Sequence, residues 1–511
     1  MSIKTHLNMS PSEIRLLRQL TGQSQSDFAN LLGVTLAAIS NWETGKAKPM
    51  LKMIKRLESI VQITKGLSIP KDPFRPIQYL GSKYKLVTTI QSVLDDLVQP
   101  GAMIGDLFSG SGVVGHSLAR RYAVTSVDIQ KYAEVLSKGL LDGRPEDIDC
   151  VNLESFWAEF DIVFANIISL FEPLLSYEEN ALVEAKGGSP LLLAEVIEHG
   201  SIASYMQAES QVTDEILAKR IEATIIRLKD AEYTSDELTV SIYFGGSYFS
   251  YYQAIAMDAL DIVIKKQKEK KQSVLRAVLL SVASEIVNTV GKQFAQPVKL
   301  IKGEGKTQPL LLQRACQDRA RDVKKTFISW SEKWRNNLHT EYKNHRVFCK
   351  DVIDFVEFDD ACDIYYADPP YTIDHYSRFY HVLETLMLRD APHLDRMEKN
   401  GESKIMRGIY RAGRYQSPFC IPAKAKNAYE KMLSSVGVKG KPLILSYSPY
   451  DSAVGNRPRL LSIEELTTIA KRYFREVYVL DINTHVHRKL NAKLVNVQPA
   501  KNAECIIVCK P

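Results

Sequence analysis

The sequence predicts an α/β sheet domain that is interrupted by a large, mainly helical insertion and preceded by an all-α N-terminal domain. Strand–turn–helix alternation runs through residues 102–128, where two apolar strands flank a glycine-rich turn and a helix. The same alternation returns at residues 346–352 and 363–367 and continues to the C-terminus. The intervening residues, 140–345, have helical periodicity and many charged side chains, so one sheet split by an insertion explains the order.

The N-terminal residues, 11–69, are helical by the spacing of their apolar side chains. The stretch IPKDPFRPIQ (residues 69–78) contains three prolines and predicts an extended linker. We therefore expect a helical domain at residues 1–69 and an insertion at residues 146–344. The two parts of the sheet domain are expected at residues 70–145 and 345–511.

The composition is that of an ordinary globular protein, and its net charge of +6 is compatible with nucleic acid as a partner without being diagnostic. The seven cysteines form no C-x-x-C pair, which favours free thiols over a disulfide framework or a zinc site. The first residues lack the apolar core of a signal peptide, and the most apolar stretch, residues 274–287, contains Arg276 and Glu285. We predict a cytoplasmic protein with no metal and no membrane span, in which residues 274–287 form a buried helix.

The segment GDLFSGSGVVG, residues 105–115, is the first motif with chemical content. A glycine-rich turn that opens a helix lets a ligand approach the backbone and its free N–H groups. Gly110, Gly112 and Gly115 also satisfy the G-x-G-x-x-G spacing, so a dinucleotide stays open as the ligand. Asp106 favours a ligand with ammonium and sulfonium charges over a pyrophosphate, which it would repel. Asp128, at the end of the next strand, suits ribose hydroxyls or caps a helix.

The second motif is Asp368, Pro369, Pro370 and Tyr371, at the end of a predicted strand. An aromatic amino nitrogen is a poor nucleophile because the ring delocalises its lone pair. The Asp368 carboxylate, together with a backbone carbonyl fixed by the prolines, can accept the N–H bonds and free that lone pair. Tyr371 offers a ring on which a flipped base can stack. The alternative is a plain turn after a strand.

Together, residues 105–115, Asp128 and residues 368–371 resemble the Dam-like class of adenine-N6 DNA methyltransferases, in the group whose donor-binding motifs precede the target-recognition region. The resemblance covers residues 78–138 and 345 to the C-terminus. It implies a Rossmann-like sheet that binds S-adenosylmethionine and an insertion that recognises the DNA target. It further implies methyl transfer to N6 of adenine.

The resemblance also assigns residues to the methyl donor. The family places a Trp-x-Gly-Gly-Lys element before the glycine-rich turn, and here residues 79–83 read Tyr-Leu-Gly-Ser-Lys. An acidic residue before the DPPY strand binds the donor adenine in the family, and Asp351 takes that position. Residues 243–258 and 376–386 resemble a subgroup related to type IIS methyltransferases, and no role is assigned to them. The implied donor contacts are Tyr79, Lys83, Asp106, Phe108, Ser109, Gly110, Gly112, Asp128 and Asp351.

Residues 24–49 resemble helix-turn-helix domains of the phage-repressor (XRE) type, with Gly33 at the turn. The second helix of such a domain enters the major groove of DNA. Lys46 suits a phosphate contact. The groove-facing candidates are Thr35, Leu36, Ser40 and Asn41. The alternative is a helical docking domain that does not bind DNA.

Two further stretches combine basic and aromatic residues. Arg407, Arg411 and Arg414 lie near tyrosines after the DPPY motif and predict a DNA-facing loop beside the active site. Residues 314–335 interleave arginines and lysines with Trp330 and Trp334, a pattern that also suggests contact with nucleic acid.

The expected partners are double-stranded DNA and, in a restriction–modification or phage-linked setting, a cognate endonuclease. The sequence does not fix the oligomeric state. Three alternatives stay open: cytosine-N4 methylation, RNA adenine methylation, and a transcriptional regulator whose sheet domain only senses S-adenosylmethionine. The methyltransferase and regulator roles can also coexist, in an enzyme that represses its own gene through the helix-turn-helix.

Overall fold

The structure, a computed structural model of the 511-residue chain, describes residues 10–21, 23–50, 52–54, 56–57, 73–208, 212–341, 343–399, 402–448, 459–482 and 504–511. The predicted linker falls partly outside these residues, because the description resumes at residue 73. The predicted boundary at residues 69 and 70 also lies outside them, so it stays a prediction.

The described part of the N-terminal domain includes three short helices with assigned bounds, and residues 52–54 and 56–57 are helical as well. The three helices are Pro11–Leu20, Gln25–Leu32 and Leu36–Glu43. Each begins after a residue whose hydroxyl accepts a hydrogen bond from the first turn, namely Ser10, Ser24 and Thr35. Gly33 ends the second helix with a φ of +66°, in the left-handed region that favours glycine. The apolar faces enclose one core, and the predicted helix-turn-helix arrangement is confirmed.

A buried ion pair fixes the first helix against the third. Arg18 Nε lies 2.7 Å from Glu43 Oε1, and both side chains are excluded from solvent. Either charge alone would be strongly unfavourable in this position, so the fold of the domain depends on the pair. Arg18 also donates to the Ser92 hydroxyl over 3.3 Å, which joins the N-terminal helices to the sheet domain.

The strands of the described residues form one large sheet and two short hairpins. In chain order they are β1 (Met103–Leu107), β2 (Ala123–Asp128), β3 (Ile301–Lys302), β4 (Lys306–Thr307), β5 (Arg346–Cys349), β6 (Ile364–Ala367), β7 (Arg396–Lys399), β8 (Glu402–Ile405), β9 (Leu443–Tyr447), β10 (Glu476–Ile482) and β11 (Glu504–Lys510). The seven-stranded sheet has the order β10-β11-β9-β6-β1-β2-β5, while β3–β4 and β7–β8 are the hairpins. The sheet is parallel from β5 to β9, and β11 runs antiparallel between β9 and β10. A mixed α/β fold with a mainly parallel sheet is therefore confirmed.

The strand order reverses at β1. From β1 the chain builds β2 and β5 on one side, and later β6 and β9 on the other. In open α/β sheets the crevice outside the carboxyl ends of the strands at such a reversal is where ligands bind. Leu107 of β1 pairs with Ala367 of β6. The glycine loop (residues 108–112) and the DPPY turn (residues 368–371) therefore leave the sheet side by side.

Helices cover both faces of the sheet. Alternate strand residues serve the two faces, since Ile364 and Tyr366 join one apolar cluster and Tyr365 and Ala367 join the other. One face carries helices Val87–Asp95 and Val113–Leu118, and the other carries Val352–Phe358, Pro422–Val438 and Ile463–Ala470. All seven cysteines have free thiols. Within the described ranges, no group of three His, Cys, Asp or Glu side chains is arranged to hold a metal ion.

The middle of the chain is helical, as predicted. Its helices are Glu154–Leu170, Glu172–Lys186, Leu191–His199, Ile202–Ala208, Glu215–Asp230, Thr239–Tyr243, Tyr251–Lys265, Glu269–Ile286, Pro309–Arg319 and Val323–Arg335. The stretch predicted as a buried helix lies in Glu269–Ile286 and is buried there. In the described part of the chain, no helix is both long enough and apolar enough to cross a membrane.

The helical middle and the sheet domain share one core. A single apolar cluster includes residues of the middle helices together with Leu136 of helix Lys131–Leu141 and Leu383 of helix His381–Leu388. The division of the chain at residues 145 and 344 therefore follows the sequence order and does not correspond to a gap in packing. It stays a prediction.

The prediction that residues 314–335 contact nucleic acid conflicts with their surroundings. Arg319 is buried and its guanidinium pairs with Glu178. Trp334 is also buried, and its indole N–H donates to the Ser281 hydroxyl over 2.9 Å. The pattern suggested a nucleic-acid surface, but Arg319 and Trp334 of this stretch lie in the core and join helices.

Three histidines lie where the end of the helical middle meets the helix that follows the glycine loop. His116 Nε2 donates to the Asn337 carbonyl oxygen over 2.9 Å, and His339 Nε2 donates to the His116 carbonyl oxygen over 2.9 Å. His345 Nδ1 accepts from the Val124 N–H over 3.1 Å. Burial lowers the pKa of His116 to about 3 and the pKa of His345 to about 4, because it disfavours the charged imidazolium.

We expect acid to weaken this contact. The pKa of His116 in the folded protein lies below that of an exposed histidine, about 6.5, so the unfolded chain binds the proton more readily. The stabilisation is complete above about pH 6.5 and is lost as the pH falls, by about 2 kcal/mol for His116 at about pH 5. His116→Gln keeps a donor for Asn337 but does not titrate. Its melting temperature should fall less than that of the wild type between about pH 7.5 and about pH 5. An equal fall in the two proteins would contradict the prediction.

Candidate active site

The glycine loop begins where β1 ends. Phe108, Gly110 and Gly112 have φ values of +61°, +53° and +74°, so the backbone turns through the left-handed region. A Cβ at Gly110 would lie 2.7 Å from the ring of Tyr79, so the ring can rest on the loop only because this residue is glycine. The Gly110 N–H donates to Asp128 Oδ2 over 2.9 Å, which holds the loop against the end of β2.

The acidic residues of β1 and β2 have different surroundings. Asp106 is buried behind the loop, its Oδ2 accepts from the Gly115 N–H over 2.9 Å, and burial raises its pKa to about 7. Asp128 accepts from the N–H groups of Gly110 and Gln130, and it also lines an open cavity. Burial raises the pKa of Asp128 as well. A ligand over the loop can therefore reach Asp128 directly, whereas Asp106 shapes the loop.

The cavity lies at the strand-order reversal and has a volume of about 760 Å³, including the part open to solvent. The predicted site residues that line it are Tyr79, Phe108, Asp128, Asp351, Asp368 and Pro370. Those outside the lining are Lys83, Asp106, Ser109, Gly110, Gly112, Pro369 and Tyr371. Tyr132 and His375 also line it. So do Tyr376, from a segment to which no role is assigned, and Tyr415 and Phe419, from the segment predicted as a DNA-facing loop. The structure thus brings both motifs to one compartment, with several of their residues behind its wall.

One wall of the cavity is aromatic. Phe108 and Phe419 meet edge to face, with ring centroids 5.0 Å apart. Next to them, Asp351 caps the helix that follows it by accepting from the Ile353 N–H over 2.8 Å. Its other oxygen accepts from the Tyr415 hydroxyl. Asp351 is therefore held at the cavity by two hydrogen bonds, and is more than a residue of a surface turn.

The DPPY turn follows β6 directly and also contributes to the lining of the cavity. The Asp368 N–H donates to the Leu107 carbonyl oxygen over 3.4 Å, so the turn starts beside the glycine loop. The Pro370 carbonyl oxygen accepts from the Tyr429 hydroxyl over 3.4 Å. A carboxylate that can accept an N–H bond thus lies in the same cavity as Asp128 and the aromatic wall.

Two segments, residues 79–159 and 319–408, match the family model of D12 class N6 adenine-specific DNA methyltransferases. These segments are similar to D12 class methyltransferases. They carry the glycine loop with Asp128 and the DPPY turn, and they omit most of the helical middle. Residues 14–65 match a helix-turn-helix family model. The resemblance to adenine-N6 DNA methyltransferases and to helix-turn-helix domains is thereby confirmed.

The chain is also similar to curated proteins. It is 22% identical over 413 residues to Modification methylase LlaI of Lactococcus lactis subsp. lactis, which covers 81% of the chain and 51% of that protein. It is 24% identical over 398 residues to Type II methyltransferase M.FokI of Planomicrobium okeanokoites, which covers 78% and 47%. The chain spans about half the length of these two relatives. Its N-terminal part is 39% identical over 64 residues to the uncharacterized HTH-type transcriptional regulator YiaG of Escherichia coli strain K12, covering 12% of the chain and 66% of YiaG.

Lys83 lies against the DPPY turn and not in the cavity lining. Its Nζ is 2.8 Å from Asp368 Oδ1 and 3.8 Å from Glu504 Oε1. Burial disfavours the ammonium, but the two carboxylates outweigh it and hold the pKa of Lys83 well above its usual value. The donor contact predicted for Lys83 stays a prediction. Glu504 begins a strand far along the chain and carries no motif that would have revealed it.

The sequence predicts that a flipped base stacks on Tyr371, whose ring contacts several side chains of the protein. Its ring packs against Tyr447 with centroids 5.4 Å apart. The Arg459 guanidinium lies over the ring at 4.6 Å from its centroid, and Lys83 Nζ lies 5.7 Å from it. Because cations and aromatic neighbours already contact this ring, base stacking on Tyr371 stays a prediction.

The two segments without assigned roles, residues 243–258 and 376–386, make hydrogen bonds to distant parts of the chain. The Tyr248 hydroxyl lies 3.2 Å from His381 Nε2 and donates to the Gly408 carbonyl oxygen over 2.9 Å. Glu384 accepts from the N–H groups of Lys131 and Tyr132 over 3.0 and 3.1 Å. These contacts tie the helix after the DPPY turn to the helix after Asp128. The segments therefore pack within the protein, and Tyr376 also lines the cavity.

The three arginines predicted to face DNA are ion-paired. Arg407 pairs with Glu198 at 2.6 Å and also donates to the Val298 carbonyl oxygen over 3.0 Å. Arg411 pairs with Asp390, and Arg414 pairs with Asp395. Their charges are already compensated within the protein, and their part in DNA binding stays a prediction.

The helix-turn-helix candidates lie on and around the third helix. Leu36 and Lys46 are exposed, and Ser40 and Asn41 are partly buried. Thr35 caps the helix by accepting from the Ala38 N–H over 3.2 Å, so its hydroxyl has a local role. The exposed side of this helix is available for a major groove, and the contacts themselves stay predictions.

Proposed function

We propose that this chain transfers a methyl group from S-adenosylmethionine to the N6 amine of adenine in DNA, as the modification partner of a restriction endonuclease. One observation carries the proposal: Asp368 lines the same cavity as Asp128 and Phe108. An acceptor for an amino group and residues suited to the donor thus share the crevice where the strand order reverses. The match to the D12 class and the similarity to two modification enzymes support the same reaction.

The residues at the cavity fit the donor. Asp128 offers carboxylate oxygens to ribose hydroxyls, as acidic residues at this position of α/β sheets do. Phe108 and Phe419 offer aromatic surface to the donor adenine, and Asp351 offers an acceptor to its amino group. Tyr79, resting on Gly110, borders the cavity as well. When bound, the donor supplies a methyl group activated by a sulfonium.

Asp368 acts on the acceptor base. Its carboxylate accepts an N–H bond of the adenine amine, which draws the lone pair away from the ring and onto the nitrogen. Lys83 Nζ lies 2.8 Å from that carboxylate and helps to hold it in position. The contribution of the protein is thus positioning and electrostatics.

Sequencing the genomic DNA of cells that express the full chain tests the proposal. Single-molecule sequencing reports the modified base and its sequence context together, and mass spectrometry of digested DNA identifies the modified nucleoside. We expect N6-methyladenine at one short sequence, and none in cells that carry the empty vector. N4-methylcytosine, modified RNA alone, or no modified base would each contradict the proposal.

We propose a second role, in which the helix-turn-helix domain binds DNA upstream of the gene that encodes this chain. The family match of residues 14–65 and the exposed Leu36 and Lys46 support it. Footprinting the full chain on that DNA, with Lys46→Ala as the comparison, should show a protected site that the variant protects less. Protection that is equal for both proteins, or none, would reject this role.

A further inference from the structure

A second depression adjoins the cavity on the far side of the DPPY turn. We call it the arginine pocket; its volume is about 460 Å³. Its walls include His375, Ser377, Arg378, Met406, Tyr410 and Arg414. His375 and Ser377 also line the cavity that holds Asp368, so the two spaces are neighbours. Whatever occupies the arginine pocket lies next to the acceptor base of the proposed reaction.

Arg378 differs from the three arginines predicted from the sequence. It is exposed, and within the described residues it has no carboxylate partner. Its Nε donates to the Tyr410 hydroxyl over 2.9 Å. In the part of the chain that the structure describes, both terminal nitrogens of its guanidinium lack a hydrogen-bond acceptor. The planar fork that binds phosphate in two parallel hydrogen bonds is therefore available.

Tyr410 gives Arg378 a fixed position. Its ring is buried, and its hydroxyl donates to the Ala295 carbonyl oxygen while accepting from Arg378. The guanidinium groups of Arg378 and Arg414 lie 5.2 and 4.5 Å from the centroid of that ring. Asp395 holds Arg414 in turn. A preorganised guanidinium loses less side-chain freedom when it binds an anion.

His375, in the same turn of backbone as Arg378, supplies a further polar atom. His375 Nδ1 is buried and has no hydrogen-bond partner among the described residues. Buried polar atoms without a hydrogen-bond partner are uncommon unless a ligand or a water molecule provides one. With Arg378 it gives the pocket two groups that can donate to an anion, at the border with the cavity of Asp368.

We propose that the arginine pocket binds a phosphate of the DNA backbone next to the target adenine, with Arg378 as the principal contact. The proposal rests on the proposed function. An adenine that leaves the duplex must be unstacked, and its backbone must be held while the base enters the cavity. Phosphate contacts fix the position of a protein on DNA without reading sequence, and an unpaired arginine beside the base pocket suits that role.

A methylphosphonate scan tests this site. The DNA carries the target sequence found by methylome sequencing, and one neutral methylphosphonate replaces each phosphate near the adenine in turn. The wild-type chain should lose about tenfold in DNA affinity at one or two linkages that flank the adenine. Arg378→Ala should bind unmodified DNA about tenfold more weakly, with a salt dependence of log Kd that is shallower by about one. At the linkage where the wild type loses affinity, the methylphosphonate should not weaken DNA binding by Arg378→Ala any further.

Two variants complete the design. Arg378→Lys keeps the charge but not the fork, and should recover part of the affinity. Arg472→Ala is the matched control. Arg472 is exposed and paired with Glu430, and it lines neither the cavity nor the arginine pocket. This variant should bind DNA like the wild type.

The inference is wrong if Arg378→Ala remains as sensitive as the wild type at every linkage. It is also wrong if the loss depends on the identity of a neighbouring base, since that would indicate base contact. Each of these two outcomes is a measurement of DNA binding, made with a chain that has been shown to methylate its target. A wild-type chain that methylates no DNA would instead reject the proposed function, so the two failures are distinguishable.

Discussion

Replacing Asp368 with alanine should lower the rate of methyl transfer by about a thousandfold or more, while the chain still binds the methyl donor. We propose that this carboxylate accepts an N–H bond of the amine, and alanine has no acceptor. Asp128 and Phe108 are unchanged in this variant, so the donor side of the cavity stays intact. Single-turnover methylation of a duplex with the identified target measures the rate, and calorimetry measures donor affinity.

Asp360→Asn is the matched control. Asp360 is 88% exposed in its side chain and lies just before β6, at the opposite end from Asp368. Its replacement should leave both measurements unchanged. Asp368→Asn adds a graded test, since it keeps an acceptor oxygen but loses the charge that Lys83 contacts. It should fall between the wild type and alanine. Wild-type rates from Asp368→Ala would overturn the assignment of this residue.

Gly110→Ala should weaken donor binding by about 10- to 100-fold. The added Cβ would lie 2.7 Å from the Tyr79 ring, so the ring or the loop must move. Either movement changes the surface that faces the donor and disturbs the hydrogen bond from the Gly110 N–H to Asp128. Calorimetric titration with the donor measures the loss, and the melting temperature of the free protein shows whether the fold persists.

Gly440→Ala separates the effect of the contact from the effect of backbone conformation. Gly440 has a φ of +63°, close to that of Gly110, but no atom lies within 4 Å of its added Cβ. Both alanines are strained by the left-handed backbone, and only the one at residue 110 meets Tyr79. Equal donor affinities for the two variants would mean that the contact between Tyr79 and the loop does not shape the site.

The strands and the two motifs could be predicted because their signals are local. Residues 505–509, CIIVC, form an apolar run typical of a buried strand, and β11 spans Glu504–Lys510. The glycine loop and the DPPY turn each follow an apolar strand directly, so their places at the sheet edge follow from the order of the chain. The sequence predicts a loop beside the active site around Arg407, Arg411 and Arg414, but nothing in its pattern indicates that Tyr415 and Phe419 of the same segment line the cavity.

Ion pairs over long sequence separations limited the predictions about charge. Arg407 looked like a free cation beside the site, but its partner Glu198 is 209 residues earlier in the chain. Arg319 likewise pairs with Glu178 in the core. Arg378 looked ordinary in the sequence, and only the absence of a carboxylate beside it in the described structure singles it out.

The strand order also has a consequence for synthesis. β1 and β2 leave the ribosome more than two hundred residues before β5 and β6, which flank them in the finished sheet. At roughly 5–20 residues per second, that interval lasts about 10–40 seconds. Throughout it, both outer edges of the β1–β2 pair have unpaired backbone groups that can template pairing with other nascent chains. The yield of native protein in the cell therefore depends on how fast translation proceeds and on chaperones that shield those edges.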